Sequence, residues 1–283
     1  MNLTLFMIEM RSYYKSIILW SVFLSIILAA QLILMHNLID ITLGYLSLIM
    51  LFAINLSLAI YAINAGSRSL IKEEAKGTIE YIYAQPISRS SIVFTKIITA
   101  VLSYAIILTI VGFVCMMTYY LIILPQLSFE TLFAEIGNLF LCSFVIGLFF
   151  MAIGFMISAL KSNNKHTSGT SLLIVSGTYI AGILSVLPNL KFKTLEVFNI
   201  SLTFPSVLEN LGYLSPFMMV PSLFEITPTD TSQLLTLVFS QIFINQNIYY
   251  ALDHTLVLIV IFCVFLISLS VCFIVYKNKD LKI

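Results

Sequence analysis

IITAVLSYAIILTIVGFVCMMTYYLIIL, residues 97–124, contains no Asp, Glu, Lys or Arg. As a helix rising about 1.5 Å per residue it spans about 42 Å, enough for the roughly 30 Å hydrocarbon core of a bilayer. A charged side chain at the centre of such a helix would cost about 2.5–3.5 kcal/mol, so a run this clean reads as a membrane span. Working outward, five more uncharged runs of sufficient length occupy residues 17–35, 41–66, 136–160, 170–190 and 255–276. The sequence therefore predicts an all-α polytopic membrane protein with six transmembrane helices in a single domain, 1–283.

Composition agrees with that solvent. Hydrophobic residues make up 60% of the chain and charged ones 10%, against about 25% charged in a soluble domain. A net charge of +1 leaves no basic excess to hold nucleic acid. Cys115, Cys142, Cys263 and Cys272 all fall inside apolar runs without a CxxC, which indicates neither a disulfide framework nor a metal site.

Six spans bring both termini to one side, and the basic residues say which. Arg11, Lys15, Arg68, Lys72, Lys76, Arg89, Lys96, Lys161, Lys165, Lys277, Lys279 and Lys282 share one face, and only Lys191 and Lys193 fall on the other. Both termini are expected in the cytoplasm, with the chain in the inner membrane. The first run is read as a retained anchor, because it is too long for a signal peptide and its basic flank begins late. Before it, residues 1–16 set Leu3, Phe6, Met7 and Met10 on one helical face, which predicts a short helix lying in the interface against lipid.

Residues 191–253 are neither span nor ordinary loop. They hold Pro205, Pro216, Pro221 and Pro228, and their uncharged part carries Gln233, Gln241, Asn245, Gln246 and Asn247. A seventh span here would export the C-terminal lysines. The segment is expected to form a small extracellular helical cap on the outer ends of the bundle, dipping in only where protein shields its backbone. Gly147, Gly154, Gly177 and Gly182 are expected to permit close helix approach.

The connection between the second and third spans is long, charged and patterned: SRSLIKEEAKGTIEYIYAQPISRSSIVFTK, residues 67–96. Ile71, Ala75, Ile79 and Ile82 recur at helical spacing over 70–85, and Pro86 ends that helix. Ser88, Ser90 or Ser91 can cap the next one, which continues into the third span. Such an elbow is suited to receive a push from the cytoplasm.

At this point the chain resembles the type-2 class of ABC transporter permeases. The likeness rests on Glu73, Gly77, Thr78, Ile79, Glu80, Gln85, Pro86, Ile87, Ser88, Arg89, Ile92 and Lys96, and it extends to the layout of the whole chain. The resemblance implies a coupling helix seated in a separate ATP-binding subunit, with two permease chains, expected to be identical, and two ATPase chains. It gives Glu73, Glu74, Lys76, Glu80 and Arg89 as ionic contacts of the coupling segment, Tyr81 and Tyr83 as aromatic anchors, and Gly77 and Pro86 as further residues of the coupling site. ATP and Mg would be bound by the partner, this chain holding no cofactor and no catalytic residue. No GxxxxGK[ST] occurs in it.

A secondary transporter or an assembly factor without an ATPase is the alternative. The first of these ordinarily places an ionisable group at mid-membrane, and these six runs contain none. His36, His166 and His254 are scattered among loops and span ends. Walls of Phe, Met, Tyr and Ile with scattered Ser, Thr, Asn and Gln suit an amphiphilic cargo, a peptide, drug or lipid-like molecule, moved outward.

Overall fold

The computed structural model describes residues 3–36, 53–72, 88–123, 129–160, 167–186, 205–219 and 254–278. Among these residues there are six α-helices and no strand: α1 (Leu3–His36), α2 (Asn55–Ser69), α3 (Arg89–Thr118), α4 (Phe129–Leu160), α5 (Thr167–Val186) and α6 (His254–Asn278). All but α2 are long and apolar enough to cross a membrane. Only the latter part of the second expected span is among the described residues, and there α2 runs past Gly66 to Ser69. The protein is an all-helical, multi-pass membrane protein.

Hydrogen bonds show that the helices alternate in direction. α2 ends and α3 begins at Ser69 and Lys96, which are joined at 2.7 Å. α1 begins beside them at Glu9, α4 ends there at Ser158, α5 begins there at Ser168, and α6 ends there at Lys277. One end of the bundle, hereafter the basic end, thus gathers one terminus of each described helix.

The expected interfacial helix over residues 1–16 is not a separate element. Leu3–His36 forms one helix, as a stretch free of Gly and Pro allows. At about 51 Å it exceeds the hydrocarbon core by some 20 Å, so its first turns continue the span as a rigid extension. Nor is its inward face the expected one. Leu5 and Glu9 are buried, whereas Met7 and Ile8 are exposed, because α1 packs along α3 and not flat on a lipid surface. α3 overshoots in the same direction, starting at Arg89. Ser88 caps it, with its Oγ accepting from Ser91 N at 3.4 Å and its carbonyl from Ile92 N at 3.2 Å.

α4 is the centre of the bundle. Its core window is 67% buried, against 22% for α5 and for α6, and α2 lies along it. The crossing is a mutual glycine contact. A Cβ on Gly154 would collide with Ile63 O and sit 2.9 Å from Ser67 N, while one on Gly66 would collide with Met151 O and sit 2.9 Å from Phe155 N. Within a bilayer, apolar surface gains little by leaving lipid, so such close backbone packing is what holds helices together. Gly147 admits the ring of Tyr104, and Gly182 admits Ser215 and Met218. A Cβ on Gly177 would meet nothing within 4 Å among the described residues, so among these no helix approaches closely at that position.

Residues 205–219 are the described part of the cap. Two 3-10 turns, Ser206–Leu214 and Pro216–Met218, pack against α5, α6 and α4. Phe217 packs between Phe150 of α4, tilted at 38°, and Tyr179 of α5, edge-to-face at 86°, with both centroid distances 5.3 Å. Phe150 lies about 15 Å, and Tyr179 about 18 Å, from the basic ends of their helices, so Phe217 reaches roughly the middle of the bundle. The cap re-enters the membrane region where Ser215, Phe217, Met218 and Met219 are buried by protein, the condition under which non-helical backbone is tolerated at that depth.

Candidate functional site

The chemistry of the described residues concentrates where the 67–96 connection leaves and rejoins the bundle. Glu73, Glu74, Lys76, Gly77, Glu80, Tyr81, Tyr83 and Pro86 lie outside the described residues; Arg89 lies within them. Its guanidinium Nη1 donates to the carbonyl of Lys277 at 3.3 Å, joining the start of α3 to the end of α6.

Around the other stem, each neighbouring helix contributes polar partners. Arg68 Nη2 donates to Ser168 Oγ of α5 at 3.0 Å. The Leu70 amide, beyond the last turn of α2, donates to Ser158 Oγ of α4 at 3.1 Å. Tyr13 of α1 donates its hydroxyl to Ala65 O at 3.3 Å. Side chains of α1, α4 and α5 thus fasten the end of α2.

Lys96 is the hub of this collar. Its ammonium donates to Ser69 O at 2.7 Å and lies 3.2 Å from Glu9 Oε1. The two side chains are 1% and 8% exposed, so this is a buried pair and not a solvated one. Removing one charge would strand the other in a poor dielectric, at about 3–5 kcal/mol. Thr95 and Thr99, on either side, turn their hydroxyls back to Ser91 O and Thr95 O at 2.8 and 2.7 Å.

Farther into the bundle an aromatic row crosses four helices. Trp20, Tyr61, Tyr104 and Phe144 follow one another at 5.5, 6.3 and 6.1 Å. Tyr61 shares a hydrogen bond with Ser103 Oγ at 3.2 Å, and Tyr104 donates to Ser143 O at 2.8 Å. Both rings therefore pack apolar faces while their hydroxyls are satisfied. The row joins α1, α2, α3 and α4 into a stiff unit beneath the collar.

With the bundle and collar described, comparison with known families is informative. The description "ABC-2 family transporter protein" matches residues 5–281, nearly the whole chain. The chain belongs to the ABC-2 family of transporters. No curated protein matches it. Membership makes this ABC-2 chain a transmembrane transporter subunit of a family that works with ABC ATPases. It leaves direction and cargo open.

Sequence reasoning missed Glu9, Tyr13, Ser158 and Ser168. It counted Lys96 among solvated cytoplasmic charges. A signal for Glu9 existed: Leu5, Glu9, Tyr13 and Ile17 recur every fourth residue, setting the acid on the row that the apolar residues mark as inward.

Proposed function

We propose that this chain is the permease of an ATP-driven exporter. In this reading a separate ATPase subunit grips the 67–96 segment, two identical permease chains complete the transporter, and an amphiphilic cargo moves out of the cell. The observation that carries the reading is the collar. Both stems of the connection are tied by side chains to α1, α4, α5 and α6, so a displacement of the segment reaches every described helix. A connection that served only to join two spans would need no such fastening.

The same reading puts the basic end in the cytoplasm of an inner-membrane protein, supported by the excess of lysine and arginine there. Single cysteines at Ser162 and Asn278, in a background without the four native ones, are expected to be shielded from an impermeant thiol reagent in intact cells. Thr229 should react. Labelling of Asn278 from outside would reverse the orientation.

Assembly tests the function itself. Purified alone, the chain should hydrolyse no ATP. Co-expressed with its cognate ATPase, it should give a complex with two copies of each chain, read by native mass spectrometry. A single chain that carries out proton-driven transport in vesicles without ATP would establish a secondary transporter instead.

A further inference from the structure

We propose that the buried Glu9–Lys96 pair is a positioning element of the transport cycle, the link through which displacement of the coupling segment moves α1. This rests on the reading of the chain as an ATP-driven permease.

Three observations converge on it. Geometrically, one ammonium holds three helices at once, since Lys96 belongs to α3, its Nζ donates to Ser69 O at the end of α2, and Glu9 of α1 lies 3.2 Å away. Ser69 and Lys96 flank the 67–96 connection from its two sides, so whatever shifts that connection shifts Nζ. By length, α1 and α3 both continue past the hydrocarbon core at this end. The pair sits between the two extensions, where a lateral push acts on them with the greatest leverage. Chemically, two charges withdrawn from water gain little stability over an apolar pair of similar volume, and are better explained by the one arrangement they specify. Leu or Met here would pack as well, yet would let α1 slide on α3. An ammonium held between a carboxylate and a carbonyl fixes the register.

Testing it requires separating position from stability. The single variants E9Q and K96M each remove one half of a buried ion pair and are expected to accumulate poorly. The double variant E9Q/K96M removes both charges and should insert, assemble with the ATPase and hydrolyse ATP. A single cysteine at Val207, 72% exposed at the start of the Ser206–Leu214 turn, reports movement of that segment through its rate of reaction with a maleimide. In the parent complex, ATP should change that rate about tenfold, an ordinary coupling magnitude. In E9Q/K96M the rate should no longer respond to ATP although hydrolysis continues, and the conservative E9D, which keeps the carboxylate and leaves the Lys96–Ser69 bond in place, should retain most of the response. An ATP response of parental size in the folded E9Q/K96M complex would overturn the proposal, as would failure of the folded E9D complex to differ from it. If instead the parent forms no complex with an ATPase, the permease reading fails, and that result is distinct from either.

Discussion

Gly154→Leu is expected to prevent stable assembly of the bundle. A Cβ at this position meets Ile63 O and Ser67 N, with Gly66 Cα at 3.2 Å. These are backbone atoms on a helix, so no side-chain rotation relieves the clash. α2 and α4 would have to separate along their main contact, and the Leu70 N to Ser158 Oγ bond at the end of that contact would lengthen with it. Overpacking of an ordinary core costs about 1–3 kcal/mol; a collision between two helix backbones belongs at or above the top of that range. Gly66→Leu should behave alike, because the contact is mutual. Gly177→Ala is the control: its Cβ would enter open space, and alanine is better in a helix by up to about 1 kcal/mol. The readout is the melting temperature of the detergent-solubilised protein, followed by size-exclusion chromatography after heating. A parental melting temperature for Gly154→Leu would contradict the described packing.

The contrast among these glycines shows what the sequence discloses. Spans were legible, because an uncharged run longer than a bilayer has few other readings. For α4 and α6 the ends were legible to within two turns: these helices contain the expected 136–160 and 255–276 and extend beyond them. Ser88 was one of three serines expected to cap α3, and local geometry selected it. By contrast, Gly154 and Gly177 are alike as sequence, each a small residue in an apolar helix. Which one meets another helix depends on how the helices pack, and no local pattern holds that information.

Two further differences have the same origin. Residues 1–16 have an amphipathic pattern that suits an interfacial helix, but nothing breaks the chain before residue 36, and the buried row through Leu5 and Glu9 follows from the neighbouring α3. Pro216 announces a turn without saying how deep it lies. The depth comes from Phe217 finding Phe150 and Tyr179, residues of two other helices. At the collar, Lys96 was visible as a residue of the motif, while its burial was not, since a lysine next to a span is ordinarily solvated. The fold was therefore readable where it depends on solvent preference, and unreadable where it depends on contacts between distant segments.

If residues 67–96 receive the work of an ATPase, changes at Glu73 and Pro86 should disturb the union of the two subunits. Glu73 is expected, from the sequence resemblance, to make an ionic contact with the ATPase, and its charge has no purpose in a loop that only joins two spans. Reversing it turns an attraction into a repulsion of on the order of 2 kcal/mol, or roughly thirtyfold in affinity. Insertion should be unaffected, because lysine adds to the basic residues that already hold this loop inside. Pro86→Ala acts on the elbow expected from the sequence, removing the residue expected to end the 70–85 helix, so that motion would no longer be directed at α3. The measurement is ATP hydrolysis by the permease–ATPase complex in lipid nanodiscs, together with the affinity of the two subunits. The expected result is weaker assembly for Glu73→Lys and, for Pro86→Ala, a complex that forms but no longer regulates hydrolysis as the parent does. Parental affinity and parental hydrolysis in both variants would make 67–96 a passive connection and contradict the account.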